Sequence, residues 1–218
     1  LFTSCGFYPL AETESVLMLE NKKNGLDNFY KKFLAGTEDS DNIGCIVMNC
    51  NPFTKGHLAL ITYAARACDL LHIFVVEENR SQFPFADRLR LVREGTDHLA
   101  NVIVHPSGPY MISNATFPTY FLKEGEDAAK IQSELDITLF ASRIAPLLHI
   151  KKRFAGEEPF DPVTRNYNEA MIRILPRYGI SFIKIDRITT EGPDGKPEVI
   201  SASRVRKLLA EQGFTEVK

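Results

Sequence analysis

The chain has 218 residues, 44% of them hydrophobic and 25% charged, with a net charge of −2. That balance excludes intrinsic disorder and collagen-like folds, and the small charge excludes a global pull toward nucleic acid or anionic membrane. No apolar run approaches the ~20 residues that span a bilayer, and the length fits one large domain or one domain plus a remnant.

Read in chain order, the first break falls at residues 35–42 (AGTEDSDN), a small, polar, acidic stretch that reads as a linker. Few contacts are expected across such a segment, so the chain from Asn42 onward is expected to fold alone. Residues 43–50 (IGCIVMNC) form a short apolar run suited to a buried strand. Residues 56–68 place Leu58, Ile61, Ala64, Ala65 and Cys68 at helical spacing, and residues 70–76 make a second buried strand. A helix over 85–99, a strand over 102–105, a long helix over 128–148, and a strand over 150–154 follow. A helix over 164–178, a strand over 180–185, a hairpin around Gly192–Gly195 and a closing helix over 203–211 complete the chain. Strands alternating with helices predict an α/β fold with a parallel sheet of about five strands and helices on both faces. Ligands bind such sheets beyond the carboxyl ends of the strands, at the switch point. The net charge runs −3, −2 and +3 over residues 1–42, 43–150 and 151–218.

Cys5, Cys45, Cys50 and Cys68 show neither C-x-x-C nor zinc-finger spacing. They read as reduced thiols of a cytoplasmic protein, with Cys45 and Cys50 as small buried hydrophobes. His72, His98, His105 and His149 lack metal-ligand spacing and read as structural, so no metal ligands are assigned. There is no basic-then-apolar leader, and a start at Leu1 reads as a piece of a longer chain.

The strongest motif is residues 48–57 (MNCNPFTKGH), which leave the first apolar strand and open the first amphipathic helix. A helix start offers unpaired N–H groups and partial positive charge to an anion. Gly56 permits close approach of a ligand, and Thr54 and His57 are both expected to point at one phosphate, Thr54 as hydroxyl donor and His57 as donor or cation. In the alternative reading, Asn51-Pro52 is only a turn and His57 an ordinary first-turn residue. Ser201 and Ser203 stand where a helix cap is favoured, and Arg206 follows on the same side. Arg88 opens a basic run on the helix over 85–99.

The Thr-x-Gly-His spacing resembles the signature of the nucleotidylyltransferase superfamily, which implies a Rossmann-like fold and a cradle for ATP phosphates. Further blocks narrow the resemblance: residues 74–85 (FVVEENRSQFPF), Arg88 to Thr96, 105–113 (HPSGPYMIS), 115–123 (ATFPTYFLK), 153–159 (RFAGEEP) and 200–206 (ISASRVR). In this order they resemble the citrate lyase ligase family over nearly all of residues 43–218. The resemblance implies that residues 1–41 are the end of an acetyltransferase-like region plus linker, and residues 42–218 the catalytic domain. It implies ATP as substrate, with Mg2+ carried on its phosphates, acetate as acceptor, and acetyl-adenylate as intermediate. The partner that the resemblance implies is the acyl-carrier subunit of citrate lyase with its CoA-derived thiol.

It further implies catalytic roles for His57, Thr54 and Arg206. Asn51, Pro52, Phe53, Gly56, Arg88, Gly156, Glu157, Ser201 and Ser203 would contact the nucleotide, with Ser201, Ser203 and Arg206 on the β,γ-phosphates. Tyr167 and Asn168 read either as nucleotide-lining or as helix-surface residues. Residues 106–123 are rich in aromatic and hydroxyl groups, and Tyr110, Ser113, Thr116, Phe117 and Tyr120 read either as a pocket for a small acid or pantetheine-type arm, or as a packed loop. Two rival functions stand beside the ligase: an adenylyltransferase that leaves the nucleotide on a pantetheine-type product, and a non-catalytic nucleotide-binding module.

Overall fold

The computed structural model describes residues 2–34, 40–78, 81–111, 127–157, 162–186, 189–191, 197–199 and 201–212. The chain opens with an antiparallel hairpin, β1 (Tyr8–Glu12) and β2 (Leu17–Glu20), and a short helix α1 (Gly25–Tyr30). The central sheet then begins with β3 (Ile43–Met48), followed by α2 (Lys55–Arg66), β4 (Leu70–Val75), α3 (Phe85–Thr96) and β5 (Val102–Pro106). A helical run follows: α4 (Ala128–Leu139), a π-helical turn (Phe140–Ile144) and α5 (Ala145–Leu147). Next come β6 (Ile150–Gly156), α6 (Pro162–Ile174) and β7 (Ser181–Ile185). A small antiparallel pair, β8 (Thr189–Glu191) and β9 (Pro197–Val199), precedes α7 (Ala202–Gln212); its connecting turn lies outside the described residues.

The five central strands are parallel in the order β5-β4-β3-β6-β7. β3 is nearly continuous apolar sequence and buried along its length, as a central parallel strand covered on both faces must be. From β3 the chain moves outward to β4 and β5, then returns to the other side for β6 and β7. That reversal opens a crevice between the carboxyl ends of β3 and β6.

On one face, Ile61, Ala64 and Ala65 of α2 and Val92 of α3 pack on Ile46, Ile73 and Phe154. On the other, Leu135 of α4 and Ala170, Met171 and Ile174 of α6 pack on Ile43, Cys45 and Phe74. The long helix expected over 128–148 is thus one helical run widened by a π turn.

The N-terminal residues correct the expectation that few contacts cross residues 35–42. Leu10, Ala11, Leu26 and Tyr30 belong to the same core as Ile43 and Phe74. The Tyr30 hydroxyl donates to the Ser107 carbonyl at 3.1 Å, Tyr110 donates to Glu20 at 2.8 Å, and Arg143 pairs with Asp27 at 3.2 Å. Gly108 has φ +65°, and a Cβ there would lie 2.1 Å from the Phe29 ring, so only glycine fits beneath α1. The hairpin and α1 therefore form an inner layer over the sheet.

Candidate active site

The β3–α2 turn occupies the crevice. Thr54 is the N-cap of α2 in extended backbone, and its side chain and that of His57 close a reciprocal capping box. The Thr54 N–H donates to His57 Nδ1 at 3.0 Å, and the His57 N–H donates to Thr54 Oγ1 at 3.4 Å. Because Nδ1 accepts a backbone N–H, the ring is the neutral tautomer with its proton on Nε2, as assigned from this network. In this arrangement Thr54 and His57 hold each other through the Nδ1 edge of the ring, and Nε2 lies on the edge turned away from that contact. The Phe53 ring stacks on His57 at 6.0 Å and 14°. It lies so close to α3 that a Cβ on Gly95 would be 2.4 Å from it.

Asn51 accepts from the Phe83 N–H through Oδ1 at 3.0 Å and from Arg206 through its carbonyl. Arg206 also donates to Ser203 Oγ at 3.0 Å, so α7 brings Ser203 and Arg206 against the β3–α2 turn although Arg206 and Asn51 lie 155 positions apart. Ser201 is the cap of α7, its Oγ accepting the Arg204 N–H at 3.1 Å. Pro52 is buried and Gly56 lies in the first turn of α2. Gly156 and Glu157 end β6 on the opposite wall; the Glu157 N–H bonds the Ile185 carbonyl and its carboxylate pairs with Lys184 at 3.1 Å. Asn168 is buried, donates to the Gly156 carbonyl at 3.3 Å and steadies that strand end.

Arg88 is the second correction. It is 0% exposed, and its guanidinium donates to the carbonyls of Asn49 (2.6 Å), Val76 (2.9 Å), Glu78 (2.8 Å) and Phe83 (3.1 Å) and to Asn49 Oδ1 (2.7 Å). It ties together the loops after β3 and β4, a positioning residue rather than a direct phosphate ligand. A basic residue mid-helix reads the same in sequence whether it faces solvent, ligand or carbonyls.

Tyr110 follows β5 and is anchored on Glu20, with burial and then that carboxylate pushing its phenol up to about 12. Ser113, Thr116, Phe117 and Tyr120 lie outside the described residues. Tyr167 meets Gln132 at 3.2 Å, and burial raises its phenol further. Asn49, which holds Arg88, and Arg153, buried in β6, carry no distinguishing signal in sequence, since Arg153 follows Lys151 and Lys152 in the same strand.

A glycine-bearing strand-to-helix turn at the switch point of this sheet defines a nucleotidylyltransferase-like, Rossmann-like α/β protein. The same fold is seen in pantothenate synthetase of Thermus thermophilus, with a TM-score of 0.51 over 80% of this chain and 64% of that one at 14% identity. Residues 43–218 match the citrate lyase ligase C-terminal domain, and the chain belongs to that family. It is 40% identical over 222 residues to citrate (pro-3S)-lyase ligase of Klebsiella pneumoniae and 42% identical over 218 residues to that of Escherichia coli K12. All of this chain is covered in both cases, and it spans 64% and 62% of the lengths of those relatives.

Proposed function

We propose that the chain carries the chemistry of an ATP-dependent acid–thiol ligase that acetylates the prosthetic-group thiol of citrate lyase. The observation that carries this reading is the convergence of the Thr54–His57 box, the Asn51–Arg206 contact and the end of β6 at one switch point. An acetate oxygen attacks the α-phosphorus of ATP, and the bond to pyrophosphate breaks. The thiol sulfur on the acyl-carrier subunit then attacks the acetyl carbon, AMP leaves, and the thiol proton passes to solvent.

In this reading the N-terminus of α2 and His57 Nε2–H face the phosphoryl oxygens that gain charge during attack. The turn at Asn51, Pro52, Phe53 and Gly56 cradles the α-phosphate, and Ser201, Ser203 and Arg206 hold the β,γ-phosphates. Gly156 and Glu157 contact ribose or base, and the segment from Tyr110 through Tyr120 covers the acid. Mg2+ enters with ATP as part of the substrate. Residues 1–41 are the end of an acetyltransferase-like region that here buttresses a cytoplasmic catalytic domain.

The test is incubation with ATP, acetate and deacetylated citrate lyase, followed by mass measurement of the carrier subunit. An acetyl shift that requires every component, with AMP released, is expected. An adenylylated product instead of AMP would identify an adenylyltransferase, and no ATP–pyrophosphate exchange with acetate would leave only a binding module.

A further inference from the structure

Arg153 sits in the middle of β6, its register partner being Cys45 of β3, and is only 6% exposed. Among the described residues the hydrogen bond of its guanidinium goes to Cys45 Sγ at 3.5 Å, a weak acceptor. Its other neighbour is the Phe140 ring, 4.5 Å away. Phe140 opens the π-helical turn, a distortion that recurs at functional sites. No carboxylate of the described residues lies within ion-pairing distance of Arg153. A buried cation without an anion is costly, and proteins normally pair it.

Its surroundings are polar on one side and apolar on the other. Arg153 acts electrostatically on the hydroxyls of Tyr30 and Tyr167, and Asp136 acts on the same two in the opposite sense. The Tyr30 hydroxyl meets the carbonyl of Ser107, which follows β5, so this cluster reaches the carboxyl ends of the strands. Arg153 lies three residues before Gly156 on the same strand, about 10 Å of extended chain from the proposed nucleotide site.

We propose that Arg153 is the anchor for the carboxylate of the small monocarboxylic acid substrate, with Phe140 as part of the apolar wall for its alkyl end. This rests on the ligase reading above. A guanidinium presents a planar fork matched to a carboxylate, which an ammonium does not reproduce.

The experiment compares the parent chain with Arg153→Lys and Arg153→Met, using acetate, ATP–pyrophosphate exchange and thermal melting. Acetate-dependent exchange by the parent tests the ligase reading first, and its absence overturns that reading and this assignment with it. Given exchange by the parent, Arg153→Lys is expected to raise the KM for acetate at least about tenfold and leave that for ATP within about threefold. Arg153→Met, which removes a buried unpaired charge, is expected to melt no lower than the parent without acetate, and acetate no longer raises its melting temperature. An unchanged acetate KM in Arg153→Lys, or equal rises for acetate and ATP, overturns the assignment while the ligase reading stands. So does failure of both variants to fold, which would make Arg153 a packing element.

Discussion

At the residue scale, the proposed function gives His57 two separable jobs. Its Nδ1 closes the capping box and its Nε2–H is the donor assigned to the reacting phosphate. Glutamine at the same position can rebuild the box but offers no imidazole. His57→Gln is therefore expected to keep the melting temperature of the parent while adenylate formation falls by about 10²-fold. His57→Ala should lose the same rate and also about 0.5–2 kcal/mol of stability, the usual range for a lost cap. Parental exchange rates in His57→Gln would remove the histidine from the chemistry. For Arg88 the expectation is opposite in kind. Arg88→Met removes the donor to four partly buried loop carbonyls, so urea denaturation should show about 1–3 kcal/mol of lost stability. Weaker ATP binding with an unchanged denaturation curve would return Arg88 to the phosphates.

Among the elements, β4 and β5 carry a buried pair, His72 Nδ1 lying 2.9 Å from His105 Nε2. Burial holds both rings well below the ordinary imidazole value, His72 at about 4 and His105 at about 3, and His72 further lowers the tendency of His105 to charge. In the unfolded chain both protonate near pH 6.5. Below that pH the unfolded state binds more protons than the folded one, so stability present at neutral pH is lost as pH falls from about 6.5 toward the folded values. The slope is up to about 1.4 kcal/mol per pH unit for each histidine. Urea midpoints measured from pH 7 to pH 5 should fall steeply, and His105→Gln should flatten the fall by about half. A flat profile in the parent would show that the pair is already protonated or solvated. For α7, the contacts of Arg206 with Asn51 and Ser203 place its first turn at the crevice. Ser203→Ala and Arg206→Ala should weaken ATP binding by about 10–100-fold and AMP binding little, as calorimetry would show, because a charge-assisted phosphate contact is worth about 1.5–3 kcal/mol. Equal losses for ATP and AMP would move α7 off the pyrophosphate end.

Across the whole molecule, residues 10–30 contribute side chains to the core rather than forming an appendage. Leu26 and Tyr30 are fully buried between α1 and the sheet, and each side chain contributes about 1.5–3 kcal/mol by its burial. Against a total of about 5–15 kcal/mol, a chain beginning at Asn42 is expected to melt well below the 218-residue chain or to aggregate. Circular dichroism melts of the two would decide, and equal melting temperatures would restore residues 35–42 as a true boundary.

The alternation of apolar runs and amphipathic stretches from Ile43 to Ile185 was enough, read alone, to predict a parallel sheet with helices on both faces, because period and burial are local properties of sequence. The β3–α2 turn was legible for the same reason: Thr54, Gly56 and His57 are close neighbours within the four residues that such a turn spans. The hairpin and α1 were not legible, since Leu10, Leu26 and Tyr30 show their role only once β3 and β4 lie beneath them. Direction was likewise beyond the sequence for the arginines. Arg88, Arg153 and Arg206 carry the same charge, yet one bolts two loops, one is buried against Phe140 and Cys45, and one reaches across 155 positions to Asn51. A guanidinium takes whichever acceptors the folded backbone brings to it, so only the tertiary structure, by bringing distant carbonyls, thiols and rings together, decided which arginine does what.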